Sequence, residues 1–343
     1  MLSARQKELI SFEVIKTLNL KFENFPADAS ENRNAPFHEA FLKAFAEKLD
    51  DKVSDVPYFV SLASWLHGLN TSLGQSFFEK VSHILSNGAK QEFNNLKISP
   101  EQQTAVSDII TELKNGVHAP NLDRETRLIS QRNSRVEKAI PNFSVDCFYK
   151  DDESIVAIEL KTVKPNSGIF KSEKEKILLA KAALKDMYPN KDVSYYLGFP
   201  FDPLSMTSTS YDKLAFMNYS VEFTKFFEPR EILLSSELWD FLSGQSNTME
   251  QLLQIINTIA TPQFLEKCEF LNNPNNRDDT AYSSILDEWN LMSERYLFDN
   301  EEKVKSLLEK KKKLARAYDQ AIFNKKGEYN SGRFTQLRDE LQS

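Results

Sequence analysis

The chain predicts a mixed α/β (α+β) fold: a small sheet of mixed strand direction embedded in a largely helical protein. Three observations carry this reading. Apolar residues recur at helical spacing through most of the first 115 positions. Between residues 143 and 199 the texture changes to two β-rich runs, FSVDCFY and SIVAIELKTV, then a helix and a third β-rich run, DVSYYLGF. After Pro203 helical periodicity returns, more weakly. The 343 residues suit about two domains. The texture divides them into a helical N-terminal region (1–118), an α/β core (119–245) and a helical C-terminal region (246–343).

The elements follow in order. Leu9, Ile10, Phe12, Val14, Ile15 and Leu18 mark a first helix, and Pro36 opens a second through Phe37, Phe41, Phe45 and Leu49. Segments 58–69 and 74–85 continue the pattern. Ser99-Pro100-Glu101 starts a helix that Asn115-Gly116 stops. Residues 121–140 read as one amphipathic helix ended by Pro141. The strands 143–149 and 154–163 flank the polar turn 150–153, and residues 165–168 form a loop. A strong helix spans 171–187, and 192–199 reads as a buried strand. Helices are expected over 232–242, 248–259, 283–297 and 301–323.

Composition removes several function classes. Only nine residues are glycine, and none are spaced for a GxGxxG loop or a GxSxG elbow. Gly327 and Gly332 have phosphate-loop spacing, but Arg333 and Phe334 follow where Lys and Ser/Thr are required. Four histidines offer no HExxH pair, and two cysteines are too few for a structural zinc site or a disulfide framework. With no signal peptide and no long apolar run, the expectation is a soluble cytoplasmic protein without a membrane partner. The net charge of −7 is unevenly distributed: residues 121–185 carry +3 and 301–343 carry +4, whereas 186–300 carry −11. The basic stretches are where an anionic polymer would lie.

The hairpin carries the chemistry. With 150–153 as the loop, Tyr149 would face Ser154 and Asp146 would face Ala157. Side-chain alternation then puts Asp146, Glu159 and Lys161 on one face, and Val145, Val156, Ile158 and Leu160 on the other. Two carboxylates on one side of a buried hairpin are costly unless paired. A divalent ion resolves the cost: Asp146 and Glu159 supply hard oxygen ligands suited to Mg²⁺, with the Leu160 carbonyl as a further ligand. Lys161 can orient or help deprotonate water and offset charge on a phosphate.

This Asp, strand, turn, Glu-Leu-Lys arrangement resembles the PD-(D/E)xK nuclease core, with Val145 where the motif's name has Pro. SWLHGLNTSLGQSFFE (64–79), RNSRVEKAIPNFSVDCF (132–148), IELKTVKPNSG (158–168) and YYLGFPFDP (195–203) further resemble the TdeIII-like family of type II restriction endonucleases. The resemblance covers roughly residues 5–245. It implies a Mg²⁺-dependent enzyme that cuts double-stranded DNA at a short palindromic or near-palindromic site. It also implies a homodimer and a cognate DNA methyltransferase in the same cell. Nucleases of this type often take another carboxylate from a helix before the hairpin. Glu125 is the candidate and Glu137 the lesser one. Arg132, Asn133, Lys164, Asn166, Ser167, Lys171 and Lys174 are expected to contact DNA, with Arg124, Arg127, Arg135, Lys181 and Asp202 as further candidates. His67 and His83 read as core or capping residues, and Cys147 as a small buried hydrophobe. Two other readings stay open at this point: a repair or structure-specific nuclease of the same superfamily, and a non-catalytic DNA-binding protein with the same fold.

Overall fold

A computed structural model describes residues 1–26, 42, 56–131, 137–161, 169–308 and 312–342. The chain forms two compact units: Met1–Leu2 with Phe78–Leu252, and Ser3–Phe77 with Leu253–Ser343. The second unit is helical. It includes α1 (Ala4–Glu23), started by a capping box between Ser3 and Gln6, and α2 (Val56–Ser72). Its interior holds a buried ion pair, in which Arg333 reaches both oxygens of Glu294 at 2.7 and 2.8 Å.

The first unit contains the sheet. In chain order it runs α3 (Phe78–Ser86), β1 (Ala89–Phe93), β2 (Lys97–Ile98), α4 (Pro100–Asn115), α5 (Leu122–Ile129), β3 (Lys138–Ala139), β4 (Phe143–Lys150) and β5 (Ser154–Leu160). Then come α6 (Phe170–Met187), β6 (Asp192–Phe199), α7 (Lys213–Asn218), α8 (Val221–Phe226), β7 (Ile232–Leu234) and α9 (Ser236–Ser243). Five strands form one mixed sheet in the order β1-β4-β5-β6-β7. The β1–β4 and β4–β5 pairs are antiparallel, while β5–β6 and β6–β7 are parallel. The helix α6 makes the β5–β6 crossover, as a parallel connection requires. Ile177, Leu178 and Leu184 of α6 share a core with Ala157, Tyr195, Leu197 and Phe199. Ile158, Leu160 and Gly198 lie on the other face, toward Leu238 of α9.

Several expectations are corrected. The region before residue 116 is not all helical, because Ala89–Phe93 pairs with β4 at the sheet edge. The helix expected over 121–140 stops at Ile129, and Lys138–Ala139 pairs with β2. Ile232–Leu234, read as the start of a helix, is the strand β7, and the helix begins only at Ser236. Three consecutive apolar residues suit a strand or a helix equally, and pairing with β6 decides it. The 283–297 segment falls into two helices, Thr280–Glu288 and Met292–Asp299. The helix expected from Pro36 lies largely outside the described residues.

The hairpin register also differs. Lys150 faces Ile155 and Tyr149 faces Val156, so Asp146 lies level with Glu159 rather than Ala157. The cause is the turn. The Asp151 carboxylate accepts the backbone N–H groups of Glu153 and Ser154 at 2.9 and 2.7 Å and the Ser154 hydroxyl at 2.8 Å. This moves the four-residue loop from 150–153 to 151–154. The register moves by two residues, and an even shift leaves every side chain on its expected face.

Candidate active site

The end of β5 brings the expected hairpin residues together. Asp146 Oδ2 accepts the Leu160 N–H at 2.9 Å, which fixes that carboxylate across the strand pair. Lys161 Nζ is 3.2 Å from Glu159 Oε1. Its backbone N–H donates to the Gly198 carbonyl at 2.8 Å, so the residue that follows β5 remains anchored to β6. The Tyr195 hydroxyl, from β6, donates to Glu159 Oε2 at 3.5 Å.

Four further charged residues complete the cluster, none singled out by the sequence reading. Glu173 and Lys176 stand three apart on α6 and so share a face. Glu173 Oε1 is 2.9 Å from Lys161 Nζ, and Lys176 Nζ is 2.9 Å from Glu159 Oε2. Lys90 of β1 lies 2.9 Å from Glu79 of α3 and 3.7 Å from Asp146 Oδ1. His83, one turn after Glu79, contacts the Asp146 carbonyl at 2.7 Å through Nε2 and ties α3 to the catalytic strand. The signal for Glu173 and Lys176 was their spacing in the first turns after the loop. Lys90 was hidden because its strand was read as helix. Glu79 ends the first family-like stretch.

Electrostatics separate the roles. Burial pushes the Asp146 carboxyl upward, and the nearby Glu159 charge adds to it, against the Leu160 N–H and Lys90. Burial alone would lower the Lys161 ammonium, but Glu159 and Glu173 outweigh it and hold its pKa above the ordinary lysine value. Held in this way, the Lys161 ammonium is placed to donate to a phosphate oxygen.

The donors suit a hard divalent ion. Asp146 and Glu159 are adjacent carboxylates whose mutual repulsion such an ion relieves. Among the described residues no group of three or more His, Cys, Asp or Glu side chains is gathered to hold a metal. Two carboxylates and a backbone carbonyl match Mg²⁺, which keeps several waters and takes few protein ligands.

Two expected site residues are corrected. Glu125 is engaged by Asn121 and by Lys174 of α6, with no contact to the hairpin among its described partners. Its Oε1 accepts the Asn121 N–H at 3.0 Å, and its Oε2 lies 2.6 Å from Lys174 Nζ. Lys174 is fully buried, with Glu231 oxygens also at 2.6 and 2.8 Å. Its charge is spent on two carboxylates, so it has no ammonium to offer DNA. The helix carboxylates linked to the hairpin in this arrangement are Glu173, through Lys161, and Glu79, through Lys90.

The remaining expected DNA contacts divide. Lys171 is exposed at the start of α6. Arg132, Asn133, Arg135, Lys164, Asn166 and Ser167 lie outside the described residues. Arg124 pairs with Glu112 at 2.6 Å, and Arg127 is exposed. Lys181 is buried, donating to Thr126 Oγ1 at 3.0 Å. Asp202 is buried and accepts the backbone N–H groups of Leu204 and Asp212. Glu137 is exposed, 3.9 Å from Lys97. Cys147 is buried on the face opposite Asp146, 3.3 Å from the Ser86 hydroxyl.

The family model for the type II restriction endonuclease HinfI matches residues 2–260. The chain belongs to the HinfI family of type II restriction endonucleases. The chain is also similar to the type II restriction enzyme MjaII of Methanocaldococcus jannaschii. The two are 41% identical over 314 residues, covering 85% of this chain and 84% of that enzyme. Members of the HinfI family are site-specific deoxyribonucleases, and the mixed sheet here is of the PD-(D/E)xK type. Both matches bear out the type II reading of the sequence; neither specifies the TdeIII-like group. Among the described residues no helix is long and apolar enough to cross a membrane.

Proposed function

We propose that this HinfI-family endonuclease cleaves double-stranded DNA with Mg²⁺ held by Asp146, Glu159 and the Leu160 carbonyl, and with Lys161 at the reacting phosphate. The observation that carries the assignment is the level pairing of Asp146 with Glu159, with the Lys161 ammonium 3.2 Å from Glu159. When bound, the ion would act as a Lewis acid toward the phosphate and make a bound water more acidic. The protein's own groups do the rest. The Leu160 N–H holds Asp146 Oδ2, and Oδ1 lies 3.7 Å from the Lys90 ammonium. Tyr195 and the Lys161 ammonium orient Glu159. Lys161, kept charged by Glu159 and Glu173, offsets the negative charge that grows on the phosphate.

The DNA would lie along the basic stretch 121–185, with Arg132, Asn133, Lys164, Asn166, Ser167 and Lys171 contacting phosphates or base edges. A homodimer fits a palindromic or near-palindromic site, because two-fold protein symmetry mirrors two-fold DNA symmetry. A cognate methyltransferase protecting the same site in the same cytoplasm is the functional partner.

The test is cleavage of plasmid DNA by Asp146→Ala and Lys161→Ala. Both variants are expected to lose discrete cleavage while retaining specific binding in a gel-shift assay with Ca²⁺. Near wild-type cutting by either variant would remove that residue from the site.

A further inference from the structure

Glu159 is held by two ammonium groups, one on each oxygen: Lys161 on Oε1 at 3.2 Å and Lys176 on Oε2 at 2.9 Å. The two lysines are not equivalent. Lys161 follows β5 directly, its backbone N–H is bonded to Gly198, and its ammonium is shared with Glu173. Lys176 projects from α6, and among the described residues Glu159 is its one ion-pair partner. A cavity of about 520 Å³ lies beside it, lined by Asn142, Ser144, Ser172 and Glu175 among others. The lysine thus has both room to swing and polar groups to meet when it leaves Glu159.

We infer that Lys176 competes with the divalent ion for Glu159 and so sets the affinity of the site for metal. The inference rests on the assignment of Glu159 as a metal ligand. An ammonium and a divalent ion drawn to the same carboxylate repel each other, so each weakens the other's hold. Metal uptake by Glu159 therefore competes first with Lys176, which has no second ion-pair partner among the described residues, whereas Lys161 is also held by Glu173. A displaced Lys176 carries a full charge beside the reacting centre, where a DNA phosphate is its natural alternative partner. By linkage, an anion that draws Lys176 away strengthens metal binding, and the metal strengthens binding of that anion.

The test measures metal binding directly, without turnover. The full chain and its variants are titrated with Mn²⁺, and free Mn²⁺ is read by electron paramagnetic resonance. Lys176→Met keeps the unbranched stem of the side chain, one atom shorter, and removes its charge. It is expected to bind Mn²⁺ roughly fivefold tighter, the scale of a partly exposed ion pair. Lys176→Arg keeps the charge and is expected to stay near wild type. Glu159→Gln is expected to lose the site. Unchanged or weaker affinity in Lys176→Met, with Glu159→Gln losing the site, overturns the competition. A wild-type protein with no Glu159-dependent Mn²⁺ site, whether because binding persists in Glu159→Gln or because none is detected, overturns the metal assignment itself and the competition with it.

Discussion

Replacing Lys174 by Met tests whether this lysine belongs to the core or to the DNA surface. Lys174 is 0% exposed, and its partners Glu125 and Glu231 are 2% and 3% exposed. Its ammonium lies 2.6 Å from each carboxylate and 5.1 Å from the Phe227 ring centroid. Methionine fills the same channel, so little volume is lost. The charge is lost, and two buried carboxylates are left facing each other. Their repulsion is already felt, since burial first and Glu231 next push the Glu125 carboxyl upward against Lys174. Removing one partner of a buried ionic set costs about 3–5 kcal/mol. For a unit of this size that lowers Tm by roughly 6–20 °C, at about 2–4 °C per kcal/mol. Urea and thermal unfolding, followed by near-ultraviolet circular dichroism, measure it. Adding Glu125→Gln and Glu231→Gln to Lys174→Met should restore much of the loss, because the uncompensated charges are then gone. A loss under about 1 kcal/mol, together with a salt dependence of DNA binding reduced by about one phosphate contact, would refute the reasoning and return Lys174 to the interface.

Two other predictions follow from the same unit. Gly198→Ala places a Cβ 2.9 Å from Ile158 Cγ2 and 3.1 Å from both Leu160 Cδ2 and Leu238 Cδ1. Such overpacking costs about 1–3 kcal/mol. Leu160 lies between Glu159 and Lys161, so cleavage should fall with stability; wild-type Tm and rate in this variant would contradict the packing described. The pH dependence of stability should carry the mark of Glu125. Its folded-state pKa is raised, by burial above all, so its contribution is fully present below the ordinary glutamate range and is lost as pH rises through the raised value. Urea midpoints of the wild type should fall in that window relative to Glu125→Gln, and a constant difference between the two would oppose it.

The placement of the candidate hairpin residues was legible in the chain because its geometry is local. Asp146, Glu159 and Lys161 belong to one hairpin, and strand alternation assigns their face whatever the loop length, provided the register moves by an even number. The register itself was missed by two residues, because the Asp151 side chain closes the turn one residue later than a count of polar residues suggests. Long-range contacts were not legible. Ala89–Phe93 is mostly exposed and without apolar alternation, and only pairing with β4 makes it a strand. Ile232–Leu234 is too short for periodicity to decide.

The helix-borne charges show the same division. Lys174 and Lys181, seven apart on α6, share one face, and that face is the buried one. Periodicity tells which residues share a side; it does not tell what the side meets. Glu125 and Lys174 were drawn to each other across two helices, while Glu173 and Lys176, one turn apart, reached the hairpin instead. The sequence by itself determined the fold class and put Asp146, Glu159 and Lys161 on one hairpin, because local alternation suffices for these, and its resemblance to known endonucleases gave the type II reading. Only the tertiary structure decided which remaining charges neutralise one another inside the protein and which stand at the site, because pairing of charges depends on distances between elements far apart in the chain.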